Sequence, residues 1–92
     1  MIASFGSKNT AKLFVRESVK KFKAFEDEAR EKLEMLNAAI YIEDLYSPPG
    51  NRLEKLSGDR KGQWSIRINR QWRICFKWEN GGSYNVEIVD YH

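Results

Sequence analysis

The residues best suited to chemistry close the chain, in Val89-Asp90-Tyr91-His92. The imidazole of His92 titrates near neutrality and can take or give a proton at working pH. Asp90 can orient it or serve as a base itself, and Tyr91 can stack on a nucleobase or donate a hydrogen bond. A terminal histidine also has an ordinary explanation, as a solvated residue at a frayed end. Against fraying, the strand period described below runs unbroken to the terminus. The second group is cationic. Arg67 and Arg73 fall at the same parity of two successive alternating segments, with few acids near them. Their planar forks suit a phosphodiester better than lysine point charges do. The competing explanation is that a two-layer domain always has a wet sheet face, where arginine is at home.

These side chains need a sheet to align them, and the second half of the chain has its period. Trp64, Ile66 and Ile68 alternate with Ser65, Arg67 and Asn69; Trp72, Ile74, Phe76 and Trp78 alternate with Arg73, Cys75 and Lys77; Tyr84, Val86 and Ile88 alternate with Asn85, Glu87 and Val89. This predicts three half-buried strands, joined at Asn69-Arg70-Gln71 and at Glu79-Asn80-Gly81-Gly82. Leu53 and Leu56 belong to a predicted fourth strand, and residues 1–5 to a further short one. The parity places Tyr84 and all three tryptophans on the apolar face, as core rather than as a base-stacking platform. Ser65, Arg67, Asn69, Arg73, Cys75, Lys77, Asn85 and Glu87 take the polar face. Cys75 has no histidine or acid partner readable from sequence and reads as an inert thiol.

Helices precede the strands. Asn9 or Thr10 is a predicted cap for a short helix carrying Leu13, Phe14 and Val15. From about residue 21 to 39, Phe25, Ala29, Leu33, Leu36 and Ile40 recur at helical spacing and line one face. The other face is charged, with Glu28 and Lys32 in the favourable four-residue order. Ser47-Pro48-Pro49-Gly50 then breaks the chain. Helices followed by a run of strands predict an α+β domain, with two N-terminal helices packed on one face of a small antiparallel β-sheet.

Composition narrows the function classes. At 92 residues, 41% apolar and 32% charged, residues 1–92 read as one domain with little core to spare for a deep pocket. No apolar run reaches the roughly 18 residues that a membrane span needs. The first eight residues lack the apolar segment of a secretory signal. One cysteine and one histidine leave no intramolecular disulfide and no zinc framework. The expectation is a small cytoplasmic protein with no membrane association. Residues 1–50 hold eight Lys/Arg and eight Asp/Glu, which cancel, so the net charge of +3 lies in residues 51–92. Five of the eight bases there are arginine, which favours a nucleic-acid partner.

Several blocks read together are specific. They are Pro49-Gly50-Asn51-Arg52-Leu53-Glu54, the run Leu56-Ser57-Gly58-Asp59-Arg60-Lys61-Gly62-Gln63-Trp64-Ser65-Ile66-Arg67-Ile68-Asn69, Gln71-Trp72-Arg73-Ile74-Cys75-Phe76, and Val86-Glu87-Ile88-Val89-Asp90-Tyr91-His92. With the opening Met1-Ile2 and Ser4-Phe5, they resemble the HigB branch of the RelE/ParE toxin superfamily. The resemblance implies a toxin of a type II toxin–antitoxin pair that cleaves mRNA on the translating ribosome, without a metal or other cofactor. It implies attack of a ribose 2′-oxygen on the adjacent phosphorus, with Asp90, Tyr91, His92 and Arg73 as catalytic residues. Arg67, Lys55, Arg60 and Lys61 are candidate RNA-binding residues. Many HigB members carry a histidine where Glu54 stands, a proline where Lys55 stands and a lysine where Ser57 stands. Either Glu54 or Asp90 must then be the second acid/base group, and a weaker nuclease is expected. The implied partners are a HigA-type helix-turn-helix antitoxin, the ribosome with its mRNA, and operator DNA reached through the antitoxin. The alternative is a ParE-like toxin that blocks a host protein such as a topoisomerase.

Overall fold

The computed structural model describes residues 1–90, so the expected roles of Tyr91 and His92 lie outside the described residues. Two helices, α1 (Lys8–Phe14) and α2 (Glu26–Ala38), precede strands β1 (Glu54–Lys55), β2 (Trp64–Arg67), β3 (Trp72–Glu79) and β4 (Gly82–Asp90). The strands pair antiparallel in the order β1-β2-β3-β4. Spatial order follows sequence order because the last two links are tight. Asn69 Oδ1 accepts the N–H groups of Gln71 and Trp72 at 2.9 and 2.8 Å, closing the β2–β3 turn without a glycine. Asn80 and Gly81 both take positive φ, 49° and 75°, giving the mirror-image hairpin turn that matches strand twist.

Ala29, Leu33 and Leu36 of α2 are fully buried in one cluster with Ile66, Ile74, Phe76 and Val86 of the sheet. Trp72 is half-buried against this core: Phe25 stacks on it at 5.0 Å between centroids, and Phe22 meets it edge-on at 5.7 Å. The second helix is shorter than its periodicity predicts. Lys20–Phe25 winds as a 3-10 turn, and α2 begins at Glu26 with three acids in its first turn, which suits the helix dipole. Ile40, expected on the buried face, is 66% exposed, and Ala39 is buried in its place. The cause is local. The Asp44 carboxylate accepts the N–H groups of Ile40 and Tyr41, both at 3.0 Å, and draws the chain out of the helix. Those two bonds hold the Asp44 carboxyl below its ordinary pKa. Ser7, rather than Asn9 or Thr10, caps α1 by accepting the Thr10 N–H at 3.2 Å. Thr10 is buried and its Oγ1 accepts the Ile88 N–H of β4 at 3.0 Å. Val15, grouped with the buried Leu13, is 62% exposed.

One residue inverts the parity of β4. Cys75 opposes Glu87 but Lys77 opposes Tyr84, so Phe76 faces two residues and Asn85 takes φ 54°. Beyond this bulge Tyr84 stands on the polar face with Lys77, and Ser83, opposite Trp78, is fully buried. This corrects the placement of Tyr84 among the apolar residues: strict alternation holds only where no extra residue intervenes. Residues 1–5 form no regular strand but run parallel to β4 through bridges Ile2–Ser83 and Phe5–Val86. At Gly6 a side chain is excluded, since a Cβ would lie 2.8 Å from the Asn85 carbonyl oxygen.

Candidate active site

The register assembles the polar face row by row. Glu54 of β1, Ser65 of β2, Cys75 of β3 and Glu87 of β4 are successive cross-strand partners, one from each strand. Two residues along, Arg67 and Arg73 oppose each other directly. Partners in such rows project from one face. This face is not the wet surface that alternation predicts: Ser65 and Cys75 are fully buried and Arg73 is 8% exposed. Part of the cover comes from the β1–β2 connection. Its 3-10 turn, Gly58–Arg60, sends the Arg60 guanidinium to Glu87 on β4 at 2.9 Å, with a second bond to Gln63 Oε1 at 3.1 Å. Burial pushes the Cys75 thiol pKa up; Arg60 and Arg73 act against it, and Glu87 and Glu54 add to it. The thiol therefore keeps its proton at neutral pH.

Like charges on facing strands repel, so each guanidinium needs acceptors. Arg73 donates Nε–H to Ser65 Oγ at 2.8 Å, and its Nη2 donates to the carbonyl oxygens of Arg52 at 2.6 Å and Ser65 at 3.4 Å. The same nitrogen lies 3.3 Å from Glu54 Oε1, whose side chain is half exposed. Arg52 presents its carbonyl from a left-handed conformation, φ 44°. The loop before it is fixed by Asn51, which is fully buried: its amide donates to the carbonyls of Leu45 and Ser47, and its Oδ1 accepts Lys32 Nζ at 2.6 Å. Lys32 thus serves the loop rather than the expected Glu28 pair. Arg67 donates Nε–H to its neighbour's carbonyl at Asn69, 2.9 Å away, and has no carboxylate partner among the described residues.

Of the residues expected from sequence, Arg73, Glu54 and Arg67 share this face. Arg60 reaches it as a strap tied to Glu87, and Lys61 is exposed beside that strap. Lys55 belongs to the opposite side of the sheet: it pairs with Trp64, and its Nζ lies 5.7 Å from that ring's centroid. Asp90 opposes Trp72 in register, on the helix side, and its carboxylate accepts the Gln71 amide at 2.9 Å. Among the described residues no three His, Cys, Asp or Glu gather where they could hold a metal ion. Sequence reasoning did not single out Ser65, the Arg52 carbonyl or Asn51. A serine two positions before one arginine, at its parity, was the available signal for the first; nothing in the sequence marks the other two.

The family model for the RelE-like toxin of type II toxin–antitoxin system HigB matches residues 4–92. The chain belongs to this HigB-like toxin family. Among its relatives, Endoribonuclease HigB of Proteus vulgaris is 34% identical over 93 residues, covering 100% of both chains. Toxin HigB-1 of Vibrio cholerae serotype O1 is 49% identical over 57 residues, spanning 62% of this chain and 60% of that protein. The YoeB-YefM complex from Staphylococcus aureus contains a chain of the same fold, with TM-score 0.62 at 18% identity, covering 100% of this chain and 98% of that one. In this HigB-like toxin the face offers two capacities: the arginines can balance an anion, and the half-exposed Glu54 can accept or donate a proton beside it.

Proposed function

We propose that this toxin is an endoribonuclease that cuts mRNA on translating ribosomes and thereby arrests translation and growth. The observation that carries the reading is the Arg73 guanidinium, held by Ser65 and the Arg52 carbonyl between Glu54 and the opposing Arg67. A cation fixed before the substrate arrives stabilises developing charge with little reorganisation. In the reaction, a base takes the 2′-hydroxyl proton, the 2′-oxygen bonds to the adjacent phosphorus, and the 5′-oxygen leaves with a proton from an acid. The products are a 2′,3′-cyclic phosphate and a free 5′-hydroxyl. Arg73 and Arg67 serve the phosphorane charge. Glu54 serves one proton transfer and, with Asp90 turned to the helix side, the closing Tyr91 and His92 supply the other. A HigA-type helix-turn-helix antitoxin neutralises the toxin, and the pair acts on its operator DNA through the antitoxin. The working compartment is the cytoplasm, where the ribosomes are.

Primer extension on mRNA from translating ribosomes tests the reading. Cuts present with the wild type should disappear with Arg73→Ala and with His92→Gln. Cuts that survive both changes would reject the site. Growth arrest with intact mRNA and induced DNA-damage signalling would instead support inhibition of a topoisomerase.

A further inference from the structure

The helical layer and the arginine face lie on opposite sides of the sheet, and the loop leading into the edge strand β1 joins them. Two adjacent residues of that loop serve the two sides. Asn51 is fully buried and turned to α2: its amide donates to Met35 Sδ at 3.1 Å and to the carbonyls of Leu45 and Ser47 at 3.2 and 3.3 Å. Its Oδ1 accepts Lys32 Nζ at 2.6 Å. Asparagine supplies donors and an acceptor at this length, whereas aspartate would set a carboxylate against two carbonyl oxygens. Arg52 ends the 3-10 turn Pro49–Asn51, and its carbonyl accepts Arg73 Nη2 at 2.6 Å. It does so at φ 44° and ψ 55°, a left-handed conformation that a residue with a side chain keeps where its surroundings fix it. Its own side chain is exposed, and the anchor is the buried neighbour. Two residues on, Glu54 brings Oε1 to 3.3 Å from the same Arg73 nitrogen. Residues 52–54 thus carry two of the oxygens around Arg73, directly behind Asn51.

We infer that Asn51, oriented by Lys32 of α2, is a positioning residue for the cleavage: through the Arg52 carbonyl it holds the Arg73 guanidinium and Glu54 in working register. This rests on the nuclease reading of the arginine face. A packing role alone would stabilise the chain and leave the reacting groups in place once it has folded. A positioning role shows in turnover, because a displacement of about 1 Å at the reacting groups can cost about a hundred-fold in rate.

Lys32→Met is the gentlest test. The side chain keeps its packing stem and loses the ammonium, and because Lys32 is half-buried, water reaches Asn51 Oδ1 and the fold is kept. Asn51→Ser is the stronger variant and Lys32→Arg the conservative one. Two quantities are read on the full chain, below its melting transition. The first is solvent exchange of the Arg73 Nε–H in proton–nitrogen correlation spectra, the signal being assigned by its loss in Arg73→Lys. Burial and the bond to Ser65 Oγ protect this proton in the wild type. Lys32→Met and Asn51→Ser should speed its exchange roughly ten-fold, and Lys32→Arg should restore protection. The second is cutting on programmed ribosomes: in Lys32→Met, kcat should fall roughly ten-fold with KM within about two-fold of wild type. Lys32→Arg should recover most of that kcat. In an Arg73→Lys background, adding Lys32→Met should cost far less, since the group it acts through is already gone. Unchanged exchange with unchanged kcat would overturn the inference. So would a rise in KM alone, or a loss of kcat equally large in the Arg73→Lys background. A wild-type chain that never cuts would sink the nuclease reading instead, and the Arg73 signal would still decide whether Asn51 and Lys32 hold this guanidinium.

Discussion

Arg73 Nε donates to Ser65 Oγ at 2.8 Å, deep in a face that alternation alone would have left wet. The bond fixes the plane of the guanidinium, and Ser65→Ala removes the acceptor while leaving the arginine in place. Turnover on ribosomes should fall roughly ten-fold, equivalent to about 1.4 kcal/mol of barrier. Ser65→Thr keeps the hydroxyl and should recover most of it. Single-turnover cutting, with thermal melts to confirm folding, checks this; equal activity in wild type and the alanine variant would make Ser65 a bystander.

Arg60 is tied to Glu87 at 2.9 Å, with both side chains about one-third exposed. If Arg60 acts by strapping the β1–β2 connection to β4, Arg60→Gln and Glu87→Gln should lower cutting by the same factor. Their double variant should then be no worse than either alone. The coupling in urea melts should be about 0.5 to 1 kcal/mol, as solvent reaches the pair. A loss in Arg60→Gln alone would mark a direct phosphate contact.

Gly6 passes the bulge at Asn85 so closely that an added Cβ would sit 2.8 Å from a backbone oxygen. Gly6→Ala should destabilise the chain by about 1 to 3 kcal/mol, because backbone rather than a flexible side chain must move. Urea denaturation measures it. Asn85→Gly, at φ 54°, should be nearly neutral by the same assay.

Burial raises the Cys75 pKa above the ordinary thiol value of 9.0. In the folded chain the thiol keeps its proton at pH values where the unfolded chain has released it. The unfolded state then binds fewer protons, and stability falls as pH rises past about 9. Cys75→Ala should lose roughly 1 kcal/mol at neutral pH through the space it leaves, yet show a flatter decline between pH 9 and 10.5. Melts across that range decide it. In the native wild type, thiol reagents should react only at the rate of unfolding.

Alternation in residues 64–88 and helical spacing in residues 25–36 were legible because burial of one face leaves a period in the chain itself. The resulting α+β layering needed no coordinates, and neither did the choice of Arg67 and Arg73 as neighbours on one face. The closing Asp90-Tyr91-His92 stood out by residue type alone. The extra residue at Asn85, the exit of Ile40 from the helix and the retreat of Lys55 to the far side of the sheet were not legible. Each depends on pairing between strands or on a side chain capturing backbone N–H groups, and neither leaves a period in the chain. The partners of Arg73 were hidden for the same reason. One is a backbone carbonyl, which has no letter in the sequence; another is a serine whose full burial strand alternation does not mark. Residue type settled which groups could hold a phosphate; only the register and the loops decided which of them stand together.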